Sequence, residues 1–69
     1  MKNKIYVKVP KEAISLLTRI IEGFDNLGVV STVCSEQGLA VIRVTPDTVD
    51  DILRILASLS FVKQIGEAD

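Results

Sequence analysis

From residue 4 to residue 9 the chain reads KIYVKV, with Ile5, Val7 and Val9 on one side and Lys4, Tyr6 and Lys8 on the other. That two-residue period is the signature of a half-buried strand. Pro10 ends it and suits the first turn of a helix, where its missing N–H has no partner to lose. From Lys11 to Phe24 the period lengthens. Ala13, Ile14, Leu16, Leu17, Ile20, Ile21 and Phe24 fall in one stripe when each residue is turned by about 100°, and Lys11, Glu12, Ser15, Thr18, Arg19 and Glu22 fill the opposite side. The pattern predicts an amphipathic helix over these residues. Asp25 to Gly28 supply turn formers, and the β-branched run VVSTVCS after them predicts a second strand.

Glu36, Gln37 and Gly38 interrupt this run before LAVIRV at 39–44, which predicts a β-hairpin. A three-residue loop with Gly38 left-handed sets Ser35 opposite Leu39 and Cys34 opposite Ala40. It leaves Val29, Ser31 and Val33 on the face of the sheet away from the helices, whereas a four-residue loop puts Val30, Thr32 and Cys34 there. Thr45 then stands as an N-cap with Pro46 at the first helical position, and Asp47, Asp50 and Asp51 suit the positive end of that helix. Val49, Ile52, Leu53, Leu56 and Leu59 make its apolar stripe. Residues 61–65, FVKQI, read as a short edge strand marked by Lys63 and Gln64.

The order is βαββαβ in a single domain, residues 1–69. Two strand–helix–strand units joined by a hairpin predict an α+β, ferredoxin-like sandwich. Right-handed crossovers give a four-stranded antiparallel sheet in the order 4-1-3-2 with both helices on one face. On the third strand Ala40, Ile42 and Val44 then face the helices, and Leu39, Val41 and Arg43 face outward beside Tyr6. An uncovered face of that composition exceeds what monomers normally leave in water. The expectation is a homo-oligomer, a dimer or larger, joined at Tyr6, Leu39, Val41 and Arg43 or along a sheet edge.

Composition narrows the classes of function. With 48% hydrophobic and 25% charged residues, and no apolar run near the roughly 20 residues of a membrane span, a soluble cytoplasmic domain with no membrane partner is expected. A core of this size rarely supplies more than about 3–5 kcal/mol by itself. The chain has no histidine and one cysteine, which leaves no zinc site of the usual kind and no internal disulfide, so a second subunit is the remaining staple. The net charge is −1 and the eight Lys and Arg are scattered along the sequence. No nucleic-acid partner is expected on that ground, and Tyr6 and Phe61 without a basic surround do not make a base-stacking sheet.

Catalytic constellations that need histidine are excluded, and the glycines at 23, 28, 38 and 66 form no phosphate loop. Cys34 reads as a small buried hydrophobe, and the three aspartates as partners of a helix dipole rather than metal ligands. The expectation is a protein that is not an enzyme and holds no cofactor and no metal.

The stretches KVPKEAISLLTRIIEGFDNLGVVSTV and GLAVIRVTPDTVDDILRILASLSFVKQI together resemble the two halves of an ACT-type regulatory domain, and IIEGFDNLG leading into VVSTV is similar to small bacterial ACT-like domains. The resemblance implies a βαββαβ fold and a non-catalytic regulatory or ligand-sensing module that takes a small metabolite such as an amino acid where subunits meet. The corresponding loop is Pro10, Lys11 and Glu12, the candidate ligand-binding residues. Ligand-binding members usually carry a glycine there, where this chain has side chains from Pro10 to Ala13. The alternative is a structural or adaptor domain for protein interaction, without a small ligand.

Overall fold

The computed structural model describes residues 3–23 and 28–68. Strand β1 spans Lys4–Lys8, a 3-10 turn covers Lys11–Ala13, and helix α1 runs Ile14–Gly23. Strands β2 (Val29–Cys34) and β3 (Leu39–Arg43) form the hairpin, followed by helix α2 (Val49–Ser58) and strand β4 (Gln64–Ala68). All neighbouring strands are antiparallel in the order β2-β3-β1-β4, which is the expected 4-1-3-2 read from the other edge. The fold is α+β and ferredoxin-like. No helix among the described residues is long and apolar enough to cross a membrane.

The alternation along β1 and β3 positions the core. Ile5, Val7, Val9, Ala40, Ile42 and Val44 are buried against Leu17 and Ile21 of α1 and Ile52 and Leu56 of α2, so both helices lie on one side of the sheet. Leu16 is the exception to the expected stripe. It is 44% exposed, because it lies about 100° around the helix from Leu17, at the margin of the apolar arc. Phe24 and the turn at 25–27 lie outside the described residues. The expected single helix from Lys11 begins instead as a 3-10 turn, closed by the Ala13 N–H donating to the Pro10 carbonyl at 2.8 Å.

The hairpin departs from the expected register. Its loop has four residues, Ser35 to Gly38, and Cys34 rather than Ser35 stands opposite Leu39, while Thr32 rather than Cys34 stands opposite Ala40. A bulge between Thr32 and Cys34 absorbs one residue. Because a bulge shifts the phase by one, Val29 and Ser31 share the open face with Arg43 and Val41 as the three-residue loop required, and Cys34 shares it with Leu39. Cys34 is half-buried. Gly38 has φ +70°, and its carbonyl accepts the Val9 N–H at 2.9 Å. The hairpin turn is thereby fastened to the end of β1.

Helix α2 starts later than Pro46. The Thr48 and Val49 amides both donate to the Thr45 carbonyl, at 3.0 and 3.1 Å, and Thr48 is the residue at the cap. Residues 45–48 therefore form a closed turn that leads into the helix, with the Thr45 and Thr48 hydroxyls 3.1 Å apart. Asp50 and Asp51 lie in the first turn as expected. Asp47 lies in the preceding turn, where the Thr45 hydroxyl and its own backbone N–H hold its carboxyl below the ordinary value. The last strand also differs: it covers 64–68 instead of 61–65. Phe61 and Val62 pack against the core as part of the α2–β4 connection, since their apolar surface gains more there than on an edge strand. The Lys63 N–H donates to the Lys8 carbonyl at 2.7 Å and starts the pairing of β4 with β1.

Two substitutions test this frame. Ile42 is fully buried between Ile5 and Val30 in the ladder, so Ile42→Asp places an unpaired carboxylate in the core, at a cost of several kcal/mol that matches the whole stability of a small domain. Circular dichroism is expected to find it unfolded; a native melt places Ile42 on the wrong face. Gly38→Ala forces a left-handed alanine whose Cβ meets the Val9 carbonyl oxygen. Urea denaturation is expected to record a loss of about 2 kcal/mol or more, and an unchanged midpoint removes the role given to this glycine.

Candidate functional site

Antiparallel partners directly opposite one another project to the same face, so the register builds the uncovered side of the sheet row by row. Val29, Arg43 and Lys4 make one row, Ser31, Val41, Tyr6 and Gly66 the next, and Cys34, Leu39 and Lys8 the third. Tyr6 sits in the middle row on a central strand. Its side chain is 43% exposed, with Val41 half-buried beside it and Gly66 on its other flank. A Cβ at Gly66 would meet nothing within 4 Å. An open depression of about 500 Å³ therefore runs beside the tyrosine, lined by Tyr6, Lys8, Leu39 and Gly66 together with Val7 and Ile65.

The expected interface residues Tyr6, Leu39, Val41 and Arg43 are thus brought together on one continuous surface. The expected ligand loop is elsewhere: Pro10, Lys11 and Glu12 lie in the 3-10 turn beyond the end of β1, with Lys11 and Glu12 exposed. That turn lines neither of the described depressions, the second of which, about 460 Å³, lies between Glu22, Val29, Arg43, Thr45 and Thr48. On the strand Cys34 is a half-buried neighbour of Leu39 rather than a fully buried one.

Charge is distributed unevenly about the sheet. The open face carries Lys4, Lys8 and Arg43 and, among the described residues, no carboxylate. Glu12 and Glu22 belong to the α1 side, Asp47, Asp50 and Asp51 to α2 and its entry turn, and Glu36 to the hairpin turn. Glu67 pairs with Ile5 and so shares the helix-side phase. The alternation of β1 already put Lys4, Tyr6 and Lys8 on one side. The addition of Arg43 and the gap at Gly66 depend on cross-strand register, which periodicity does not supply.

The β2 edge is treated differently. The Val30 N–H is held by the Glu22 carboxylate of α1 at 2.8 Å, and the bulge at Val33 bends the same strand. Both are devices that blunt an edge against pairing with another strand.

A small ferredoxin-like α+β domain with one face of its sheet left open and studded with cations is the class that fold and surface define. The chain belongs to the family described as Domain of unknown function (DUF4911), whose model matches residues 7–62. No curated protein and no solved structure matches it. The matched span runs from the middle of β1 to the connection after α2, and leaves Lys4, Tyr6 and β4 outside it.

Removing the Glu22 carboxylate isolates its part in this arrangement. Glu22→Ala leaves the Val30 amide to water, and a charge-assisted hydrogen bond in a half-buried place is worth about 1.5–3 kcal/mol. The variant is expected to lose stability of that order in urea and to expose the Val30 amide to faster hydrogen exchange. Wild-type exchange at Val30 removes the latch.

Proposed function

We propose that this protein is a non-catalytic, ACT-like regulatory or ligand-sensing module of the cytoplasm that works as a homo-oligomer, its subunits joined through the open sheet face. The support is the face itself. Tyr6, Leu39 and Val41 form an apolar strip on the two central strands, extended by Val29, which is 56% exposed. Covering them with a second copy adds the burial that a chain of this size cannot supply from one core. The blunted β2 edge disfavours pairing of subunits along that edge. Lys4, Lys8 and Arg43 flank the strip, and their aliphatic stems cover apolar surface while the charged ends reach water.

A small metabolite such as an amino acid is taken at the rim of such a dimer. There the turn Pro10, Lys11 and Glu12 follows Lys8 and the Leu39 row after the buried Val9. The second reading, an adaptor without a small ligand, draws on the side chains that fill the turn from Pro10 to Ala13 and on the shallow form of both depressions. A thermal-shift screen against amino acids separates the two, since a ligand at 100 times its dissociation constant stabilises the native state by about 2.7 kcal/mol.

Val41→Lys tests the assembly. It puts a fourth cation in the middle of the strip, on a residue that stands beside Tyr6, and leaves the helix-side core intact. Sedimentation equilibrium is expected to find a wild-type dimer at micromolar concentration and an association at least about tenfold weaker in the variant. A monomeric wild type, or a variant that associates as tightly, defeats assembly through this face.

A further inference from the structure

We infer, on the basis that the open face is the working surface, that it also takes single-stranded nucleic acid in competition with the second copy, with a base stacked on Tyr6 and phosphates held by Lys4, Lys8 and Arg43. The chain as a whole is slightly acidic, with a net charge of −1. Its charge is nevertheless segregated. The register gathers three of the eight Lys and Arg in the rows on either side of Tyr6, and the described carboxylates lie on the helices, in the turns and on the helix-side phase of β4, with Glu22 alone reaching a depression it shares with Arg43 at the margin of the face. A cationic surface around an accessible aromatic ring on a flat sheet is the arrangement that holds unpaired bases and their phosphates.

Spacing selects a polymer over a mononucleotide. Lys4 and Lys8 are four residues apart on one strand, about 13 Å at the rise of a β-strand, and Arg43 stands one strand over, opposite Lys4. One phosphate group does not reach both ends of that line, whereas a backbone with several phosphates does. Gly66 leaves the flank of Tyr6 open, so that a base can lie against the ring over the depression shared with Lys8 and Leu39. Bases inside a duplex are already stacked on one another and offer no face to a single tyrosine. Leu39 and Val41 bring no donors or acceptors to a base edge, so contact is through stacking and phosphate and carries little sequence preference.

The two occupants respond to salt in opposite ways. A face-to-face dimer opposes the three cations of one copy to those of the other, and salt relieves that repulsion. Nucleic-acid binding releases counterions and weakens with salt.

The experiment is fluorescence anisotropy with a labelled, mixed-sequence RNA of about ten nucleotides, run on the whole chain beside sedimentation equilibrium of the same samples. Expected is binding at low salt whose log–log salt slope is about −2, three phosphates at roughly −0.7 each, with duplex RNA bound at least about tenfold more weakly. Tyr6→Leu, which keeps an apolar exposed side chain, is expected to weaken binding about tenfold, and Lys8→Gln and Arg43→Gln each to flatten the slope by about 0.7. Val41→Lys separates the two occupants, because it loosens the dimer and leaves RNA binding equal or tighter. Circular dichroism melts of each variant confirm the fold. Absence of binding at low salt overturns the inference while a dimer disrupted by Val41→Lys still upholds assembly through the face. Equal affinity for duplex RNA overturns it too. So does a Tyr6→Leu variant that binds like wild type, and so do anionic phospholipid vesicles that compete with the RNA on equal terms.

Discussion

Both connections between parallel strands cross on the same side of the sheet, and most of this molecule follows from that constraint. The crossovers from β1 to β2 and from β3 to β4 bring α1 and α2 over one face. Ile5, Ile42, Leu17, Ile21, Ile52 and Leu56 close into one core there. A strand points every second side chain the other way, so each residue that feeds the core on β1 or β3 has a neighbour on the far side. Among the described residues no third layer covers them.

The two central strands are held at their ends as well as along their ladders. Val9 is tied to Gly38, Val44 to the Asn3 carbonyl and Lys63 to the Lys8 carbonyl. These bonds extend the pairing of β1 on both sides past the regular strands. Tyr6, at the middle of β1, is therefore carried on backbone paired on both sides, with partners at Val41 and Gly66. The β2 edge is built for the opposite purpose. Glu22 closes one outward donor at Val30, and a bulge lies between Thr32 and Cys34 further along the strand, which discourages strand addition at this edge.

The parts of this arrangement that the sequence discloses are those governed by local period. The inward set Ile5, Val7 and Val9 and the outward Tyr6 follow from alternation, whereas LAVIRV breaks its apolar run only at Arg43, and that single residue points Ala40, Ile42 and Val44 inward and Leu39 and Val41 outward. What it does not disclose depends on tertiary balance. Phe61 and Val62 look like a strand by propensity, yet the core draws them in, and Gln64–Ala68 pairs with β1 despite weaker strand formers because β1 offers an open ladder. Thr45 has the chemistry of an N-cap, but its carbonyl closes a turn with Thr48 and Val49, and the helix is delayed. The hairpin register is decided by a bulge that no residue type at 32–34 announces. The cation cluster falls between these cases: Lys4 and Lys8 are legible beside Tyr6, while Arg43 joins them only once β1 and β3 are in register.

Average charge and local charge thus give different pictures of the same chain. A net charge of −1 describes a protein that a distant polyanion would weakly avoid, but at contact the relevant field is that of the nearest face, since exposed charges beyond about 8–10 Å are largely screened at physiological salt. Glu22 reaches the margin of the open face, sharing a depression with Val29 and Arg43, while Asp50 and Asp51 stand in the first turn of α2 on the helix side. What an occupant meets is an apolar strip with a cation in each flanking row. Such a strip gains little from water, and a second copy of itself brings the same sign of charge. Any partner that covers the apolar part and also supplies negative charge satisfies both demands together. Because a partner that binds only the folded state adds to its stability by mass action, a partner on that face would couple its binding to the folding of so small a domain.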